Sequence, residues 1–253
     1  ASALVTDLCR PDFIDINFGC PVKKIVKRNG GSGCLRDLDL VEKIIRSVVG
    51  NTHLPVSTKI RSGFDEPSRD PVTIGLRCQD SGSQMVILHA RTRTDMYSGH
   101  ARWDEIASLV DALDVPVVGN GDVHDGPTAL AMKEKTGCAG IMIARGSHGS
   151  PWIFRQARAA LERQPIPEDP DVIERFEICL EHAHNGSLFE VNPDKALRDF
   201  RKHLGWYTKG LQGGRKLRQQ LFEALSFQEV EDLLSVYLDA NVSLRGRVNS
   251  LSG

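Results

Sequence analysis

The sequence predicts an α/β fold of the (β/α)8 barrel type, with about five of the eight strands present, followed by a small all-α domain. Three observations predict it. Five short β-branched runs alternate with helical patterns, which is the rhythm of a parallel sheet. Each run ends in polar, chemistry-bearing residues; a barrel gathers all strand ends at one mouth, whereas a doubly wound sheet uses one or two of them. Beyond Pro170 no strand pattern recurs and helical periodicity takes over.

Taken in order, Ala1-Ser2-Ala3-Leu4-Val5-Thr6-Asp7 reads as the last turns of a helix, without the basic and apolar regions of a signal peptide. The strand runs are Phe13–Asn17, Pro55–Ile60, Met85–His89, Val115–Gly119 and Gly140–Ala144. Between them, Leu38-Val41-Ile44-Ile45-Val48 has i, i+3, i+4 spacing, with Asp37 or Asp39 as its cap; Val72-Leu76, Trp103-Ile106-Val110 and Ala129-Met132 make similar stripes. A barrel needs eight strands. Three further βα units, roughly 80 residues at ~25–30 per unit, are therefore expected upstream of Ala1.

The expected domains are a partial barrel over residues 1–163, a linker over 164–171 with three prolines between Gln164 and Pro170, and a helical domain over 172–253 whose last stretch, 245–253, reads as a frayed tail. The helical stripes there are Val172-Phe176-Cys179-Leu180, Leu197-Phe200-Leu204, Leu217-Leu221-Phe222-Leu225 and Val230-Leu233-Leu234-Tyr237. Charge is segregated within it. From Asp194 to Arg218 eight basic residues stand against two acidic ones, a net +6, while 219–240 carries five acidic residues and no basic one.

The whole chain has 253 residues, 32 basic and 33 acidic, with 40% hydrophobic and 26% charged residues. Such composition excludes a disordered chain, a collagen and a coiled-coil rod. No apolar run approaches the ~18 residues of a membrane span, so no membrane partner is expected. Cysteines 9, 20, 34, 78, 138 and 179 contain no Cys-x-x-Cys pair. No metal site is expected, and the setting expected is reducing and cytoplasmic.

Candidate chemistry sits at the strand ends. Cys20, in Asn17-Phe18-Gly19-Cys20-Pro21, is a thiol where a strand meets its loop; Cys34 is a second thiol after Asn29-Gly30-Gly31-Ser32-Gly33, and spacing alone does not choose between them. The glycine cluster is either a turn or a place where backbone N–H groups approach a ligand. Lys59 is costly to bury unpaired, which points to an anionic ligand or an electron-rich ring unless its ammonium reaches solvent at the rim. His89 and Arg91 add donors on the next strand. Asn120-Gly121-Asp122 and Ala144-Arg145-Gly146 end the last two runs, where barrels commonly bind phosphate. Counting these as strands seven and eight makes the run containing Asp15 the fourth, the same count of three missing strands.

Taken together, Asp12–Pro21, Gly30–Gly33, Thr58–Gly63, His89–Thr92, Gly119–Asp122, Arg145-Gly146 and Gly149–Trp152 resemble the tRNA-dihydrouridine synthases, most closely their bacterial B-type branch, from about residue 5 to about 240. The resemblance implies an FMN-containing barrel with a helical tRNA-binding domain, which reduces the C5–C6 bond of selected uridines in tRNA with NADPH as electron source. It implies Cys20, not Cys34, as the proton donor. Lys59 and His89 become donors toward the flavin and substrate, Asn120, Gly121 and Asp122 flavin contacts, and Ala144, Arg145 and Gly146 the surroundings of its phosphate. Asn17 and Arg91 fall on the substrate side. The family's first-strand loop against the flavin has no counterpart here. Arg201, Lys202 and Lys209 are expected to contact tRNA phosphates, with Trp206 and Tyr207 either stacking on RNA or filling a core. A monomer is expected. Two other readings compete: an FMN-dependent barrel oxidoreductase acting on a free pyrimidine, and a truncated tRNA-binding fragment without activity.

Overall fold

The computed structural model describes residues 1–249. Its contacts divide into two units, one of residues 1–146 with 157–166, the other of residues 147–156 with the chain from 167 onward. The sequence places one break at 164–171; in the structure 147–156 already belongs with the second unit, and 157–166 returns to the first.

The first unit opens with α1 (Ser2–Cys9) and holds β1 (Ile14–Asn17), β2 (Val56–Arg61), β3 (Met85–His89), β4 (Val117–Asn120) and β5 (Gly140–Met142). Between β1 and β2 lie α2 (Lys23–Val26), a 3-10 turn (Gly31–Arg36) and α3 (Leu38–Val49); α4 (Pro71–Asp80), α5 (Trp103–Ala112) and α6 (Gly126–Thr136) fill the later crossovers. All neighbouring strands are parallel, in the order β1-β2-β3-β4-β5. Each step moves one place in the same direction. A doubly wound sheet would reverse, and this arc does not; it is the α/β arrangement of a barrel.

Asp37 caps α3 by accepting from Leu40 N, which decides between the two candidate caps. Asp125 and Thr128 form a reciprocal cap at the start of α6, and Gly137 ends that helix in the left-handed conformation. The N-caps start their helices, and Gly137 stops α6 before β5 begins.

The pairing register divides the strands into two faces. Ile16, Thr58, Val86 and Val117 share one face, and Ile60, Leu88 and Gly119 continue it. Val86, Leu88 and Ile60 pack there with Val41, Ile45 and Ile106 of the helices into one core. Asn17 and Lys59 are opposite each other on the other face, as are Arg61, His89 and Asn120 one level on. Parallel strands usually read apolar on both faces. These are polar on one: Asp15 and Ser57 pair low on it, and the larger donors cluster toward the C-terminal ends.

The second unit contains α8 (Val172–Ser187), α9 (Pro193–Tyr207), α10 (Gly214–Glu223) and α11 (Phe227–Asn249); α7 (Ile153–Leu161) supplies residues to both units. Phe176, Cys179, Leu204, Tyr207, Leu221 and Val230 are fully buried in its core. The expected tail over 245–253 is helical in α11 as far as Asn249, and the remainder lies outside the described residues.

Candidate active site

The polar face is built from the turn after β1 outward. Asn17 Oδ1 accepts from the backbone N–H of Gly19 at 2.9 Å and of Cys20 at 3.0 Å, which folds the strand end into a tight turn. The Cys20 carbonyl accepts from Ser32 N at 3.1 Å and from Ser32 Oγ at 2.8 Å. Gly31 has φ +53°, and a Cβ there would lie 2.8 Å from Cys20 Cβ. The glycine cluster is thus the mould of the thiol's loop. Cys34, by contrast, is buried, and its Sγ donates to Asn29 O at 2.8 Å. Burial pushes that thiol up from its ordinary pKa. All six cysteines are free.

Arg61 holds the opposite side of the turn. It is 1% exposed, and its guanidinium donates to Gly19 O at 2.9 Å, Thr92 O at 2.7 Å and Met96 O at 2.9 Å. One side chain therefore ties the loop after β1 to the loop after β3, and the Cys20 thiol is close enough to bear on its charge. The loops after β2 and β3 continue the pairing of their strands through Ser62 N to Arg91 O, Arg93 N to Gly63 O and Thr94 N to Phe64 O. This mouth is braced.

Lys59 reaches the same place: a Cβ built on Gly19 would lie 3.7 Å from both Lys59 Nζ and Asn17 Oδ1. Burial, with Arg61 adding to it, pulls the Lys59 ammonium down to about 8, while Asp15 holds it up. His89 is 8% exposed. Burial first, then the charges of Arg61, Lys59, Arg91 and Arg145, brings its imidazole down to about 3. It is neutral at physiological pH. Arg91 Nη1 lies 3.4 Å from His89 Nε2 and can only donate, so the ring proton sits on Nδ1.

Arg91 is 1% exposed and heavily engaged: it donates to Ser98 O, Gly99 O and both carboxylate oxygens of Asp122, the last two at 2.8 Å. Its place is in the wall of the mouth. Burial pushes the Asp122 carboxyl up, but the Ala101 N–H and Arg91 outweigh it, and the group ends below the usual carboxylate range. Asn120 donates to Met142 O at 2.8 Å. Gly121 has φ +127°, and a Cβ there would meet Ala101 at 2.6 Å and His89 at 3.3 Å. Arg145 is half exposed, 3.5 Å from Asp122, with its guanidinium 4.6 Å above the Tyr97 ring. Ala144 is exposed beside it, and Gly146 is half-buried in the short 3-10 turn Arg145–Ser147.

Sequence reasoning did not single out Arg61 or Tyr97. Arg61 sits two residues after Lys59, the period of one strand face, which was the available signal. Tyr97 lies on a loop, where no periodicity announces it; Arg61 and Arg145 both stand over its ring and His89 is 6.4 Å away. Cations outnumber carboxylates at this mouth, and Asp122 and Asp95 are already engaged by Arg91 and Arg102. The donor set fits a planar anionic ligand. Among the described residues no group of three or more His, Cys, Asp or Glu gathers as a metal site.

In the helical unit the candidates separate. Lys202 and Lys209 are exposed. Arg201 is turned inward, donating to Ala224 O at 3.0 Å, and Arg218 donates to Thr208 O at 2.8 Å. Lys195 pairs with Glu190 and Asp199. Tyr207 is 1% exposed and hydrogen-bonds His182, so it fills the core instead of facing solvent. Trp206 is half-buried and stacks on His148 with ring centroids 4.0 Å apart.

A family model described as dihydrouridine synthase matches residues 1–242. A probable tRNA-dihydrouridine synthase 1 of Synechocystis is 39% identical over 241 residues, covering 89% of this chain and 67% of that protein. A probable tRNA-dihydrouridine synthase of Mycobacterium leprae is 37% identical, covering 99% and 67%. A tRNA-dihydrouridine synthase B of Pseudomonas aeruginosa is 39% identical, covering 82% and 62%. The chain spans about two thirds of the length of the curated relatives it matches.

Proposed function

The chain belongs to the dihydrouridine synthase family, and we propose on that premise that it takes part in the flavin-dependent reduction of uridine to 5,6-dihydrouridine in tRNA. The observation that carries the reading is the moulded thiol of Cys20 beside a face of donors and cations at the strand ends. Flavin mononucleotide, a planar ring bearing a phosphate, suits that face. Lys59, His89, Asn120, Gly121 and Asp122 would hold its ring side, and Ala144, Arg145 and Gly146 its phosphate. When bound there, the flavin would supply hydride chemistry for C6 of the uracil, with NADPH as the electron source.

The residues of the chain do the rest. In this reading the thiol of Cys20 is the general acid that gives its proton to C5. Arg61 holds the turn that carries the thiol by donating to Gly19 O. Asn17 spends its carbonyl oxygen on the turn, leaving its amide N–H groups for a uracil oxygen. Neutral His89 offers Nδ1–H as a donor without adding charge. A uridine reaches such a mouth only by leaving its stack, and Lys202 and Lys209 would take RNA phosphates. Arg91 and Arg201 act in this reading as positioning residues, since Arg91 is tied to Asp122 and Arg201 to the Ala224 carbonyl inside their own units.

The test supplies the chain with FMN, NADPH and unmodified tRNA transcript. Protein that retains absorbance near 450 nm (about where oxidised flavin absorbs) and forms dihydrouridine supports the reading. Reduction of free uracil with no reaction on tRNA would replace it with a small-molecule reductase.

A further inference from the structure

One charged segment of the first unit takes no part in that chemistry. Between Ile16 and Arg36 there is no acidic residue, and there are five basic ones: Lys23, Lys24, Lys27, Arg28 and Arg36. The first four lie on α2 and the turn that follows it, directly after Cys20-Pro21. All four are exposed, and among the described residues none forms an ion pair. On a surface where Arg69, Arg77 and Arg102 each hold carboxylates, that is an unspent block of charge.

The block is also rigid. Val26 is buried beneath it, and Gly33 packs so closely that an added Cβ would lie 3.0 Å from Val26 O. Arg36 braces it from the side: its guanidinium donates to Asn29 Oδ1 at 2.8 Å and Gly33 O at 3.2 Å, and lies 4.9 Å from the Phe64 ring centroid. Backbone bonds from Val26 N to Val22 O and from Lys27 N to Lys23 O close the turn. With Val26 facing in, the pairs Lys23/Lys27 and Lys24/Arg28, each four residues apart, present their charges outward. The same 3-10 turn that packs on α2 also moulds Cys20 through Gly31 and Ser32. Cations and thiol therefore share one scaffold.

We infer that α2 is an RNA-backbone docking surface of the catalytic unit, gripping phosphates that flank the uridine presented to Cys20, separately from the helical unit. The inference rests on the tRNA reading above and adds to it where on the first unit the RNA is held. Four fixed, unpaired cations complement a polyanion of closely spaced phosphates. An anionic membrane fits less well: a four-residue helix with only Val22 and Ile25 as exposed apolar neighbours has no face long enough to insert.

The experiment measures tRNA affinity of the full chain against salt for wild type and for the variant Lys23→Gln/Lys24→Gln/Lys27→Gln/Arg28→Gln. At about 0.7–0.9 per phosphate contact, loss of four contacts lowers the log–log slope by about 3. Affinity should fall at least tenfold at low salt, with KM for tRNA raised and kcat at saturating tRNA unchanged. The half-variants Lys23→Gln/Lys27→Gln and Lys24→Gln/Arg28→Gln should each give about half the slope change, and serve if the fourfold variant folds poorly. Unchanged slope and affinity, in a wild type that binds tRNA and makes dihydrouridine, overturn the role of α2 and leave the functional reading standing. A wild type that neither binds tRNA nor modifies it overturns both. Loss of binding to phosphatidylserine vesicles without loss of tRNA binding would make the surface a membrane contact and overturn the inference.

Discussion

The two units handle charge in opposite ways. In the α/β unit, Lys59, Arg61, His89 and Arg91 are wholly or largely buried around one mouth, and Arg61 and Arg91 are spent on backbone carbonyls and Asp122. In the helical unit the interior is aromatic and aliphatic, and most basic side chains project outward. There the inward exceptions, Arg201 and Arg218, tie helix ends to neighbouring carbonyls. Fixed internal charge suits chemistry at one atom, because its donors need no reorganisation. Outward charge on long side chains suits a broad polyanion, where each contact contributes little and the number of contacts sets the affinity.

The largest expected effect separates the units most sharply. Cys20→Ala should lower dihydrouridine formation by about 10²–10⁴-fold while NADPH still reduces the flavin and tRNA affinity is unchanged. Activity equal to wild type would move the acid elsewhere. Arg198 on α9 is exposed like Lys202 and Lys209, and reversing the three by Arg198→Glu/Lys202→Glu/Lys209→Glu should do the converse, weakening tRNA binding by ten- to a hundredfold on the order of three lost phosphate contacts. A shift in Tm with no shift in affinity would mark that face as merely structural.

Smaller effects probe how the mouth is held. Gly31→Ala forces a side chain into a left-handed position against Cys20; about 1–2 kcal/mol of stability should be lost, with a slower reaction of Cys20 toward iodoacetamide. An unchanged thiol rate would detach the glycine cluster from the thiol. Lys59 tests burial. Its folded value of about 8 lies below the free 10.5, so between those values the unfolded chain binds more protons and stability rises with pH. Lys59→Met should flatten that rise in urea titrations and release flavin. Tyr207→Phe, which removes only the bond to His182, should cost about 1 kcal/mol and leave tRNA affinity alone.

Much of the fold was legible because strands and helices announce themselves locally. Phe13–Asn17 and Met85–His89 alternate or run apolar over strand length, and Leu38–Val48 repeats at helical spacing, so neither needed a partner to be recognised. The site was legible where it lay at strand ends: Asn17, Lys59, His89 and Asn120 share one face through a period of two. What was not legible depended on loops meeting across the mouth. Tyr97 becomes a neighbour of Arg145 and Arg61 only when the chain has folded, and Arg91 looked like a free donor until Ser98, Gly99 and Asp122 closed on it.

By itself the amino-acid sequence determined the alternation of strands and helices, the polar strand ends and the charge segregation between Asp194–Arg218 and the acidic stretch after it. Only the tertiary structure decided which cations are spent and which are free. Arg61, Arg91 and Arg201 differ from Lys202 and Lys209 not in residue type but in which carbonyls and carboxylates reach them. Hydrogen bonding depends on distance and direction in space, and residues 30 or more positions apart, such as Arg91 and Asp122, acquire both only in the folded chain.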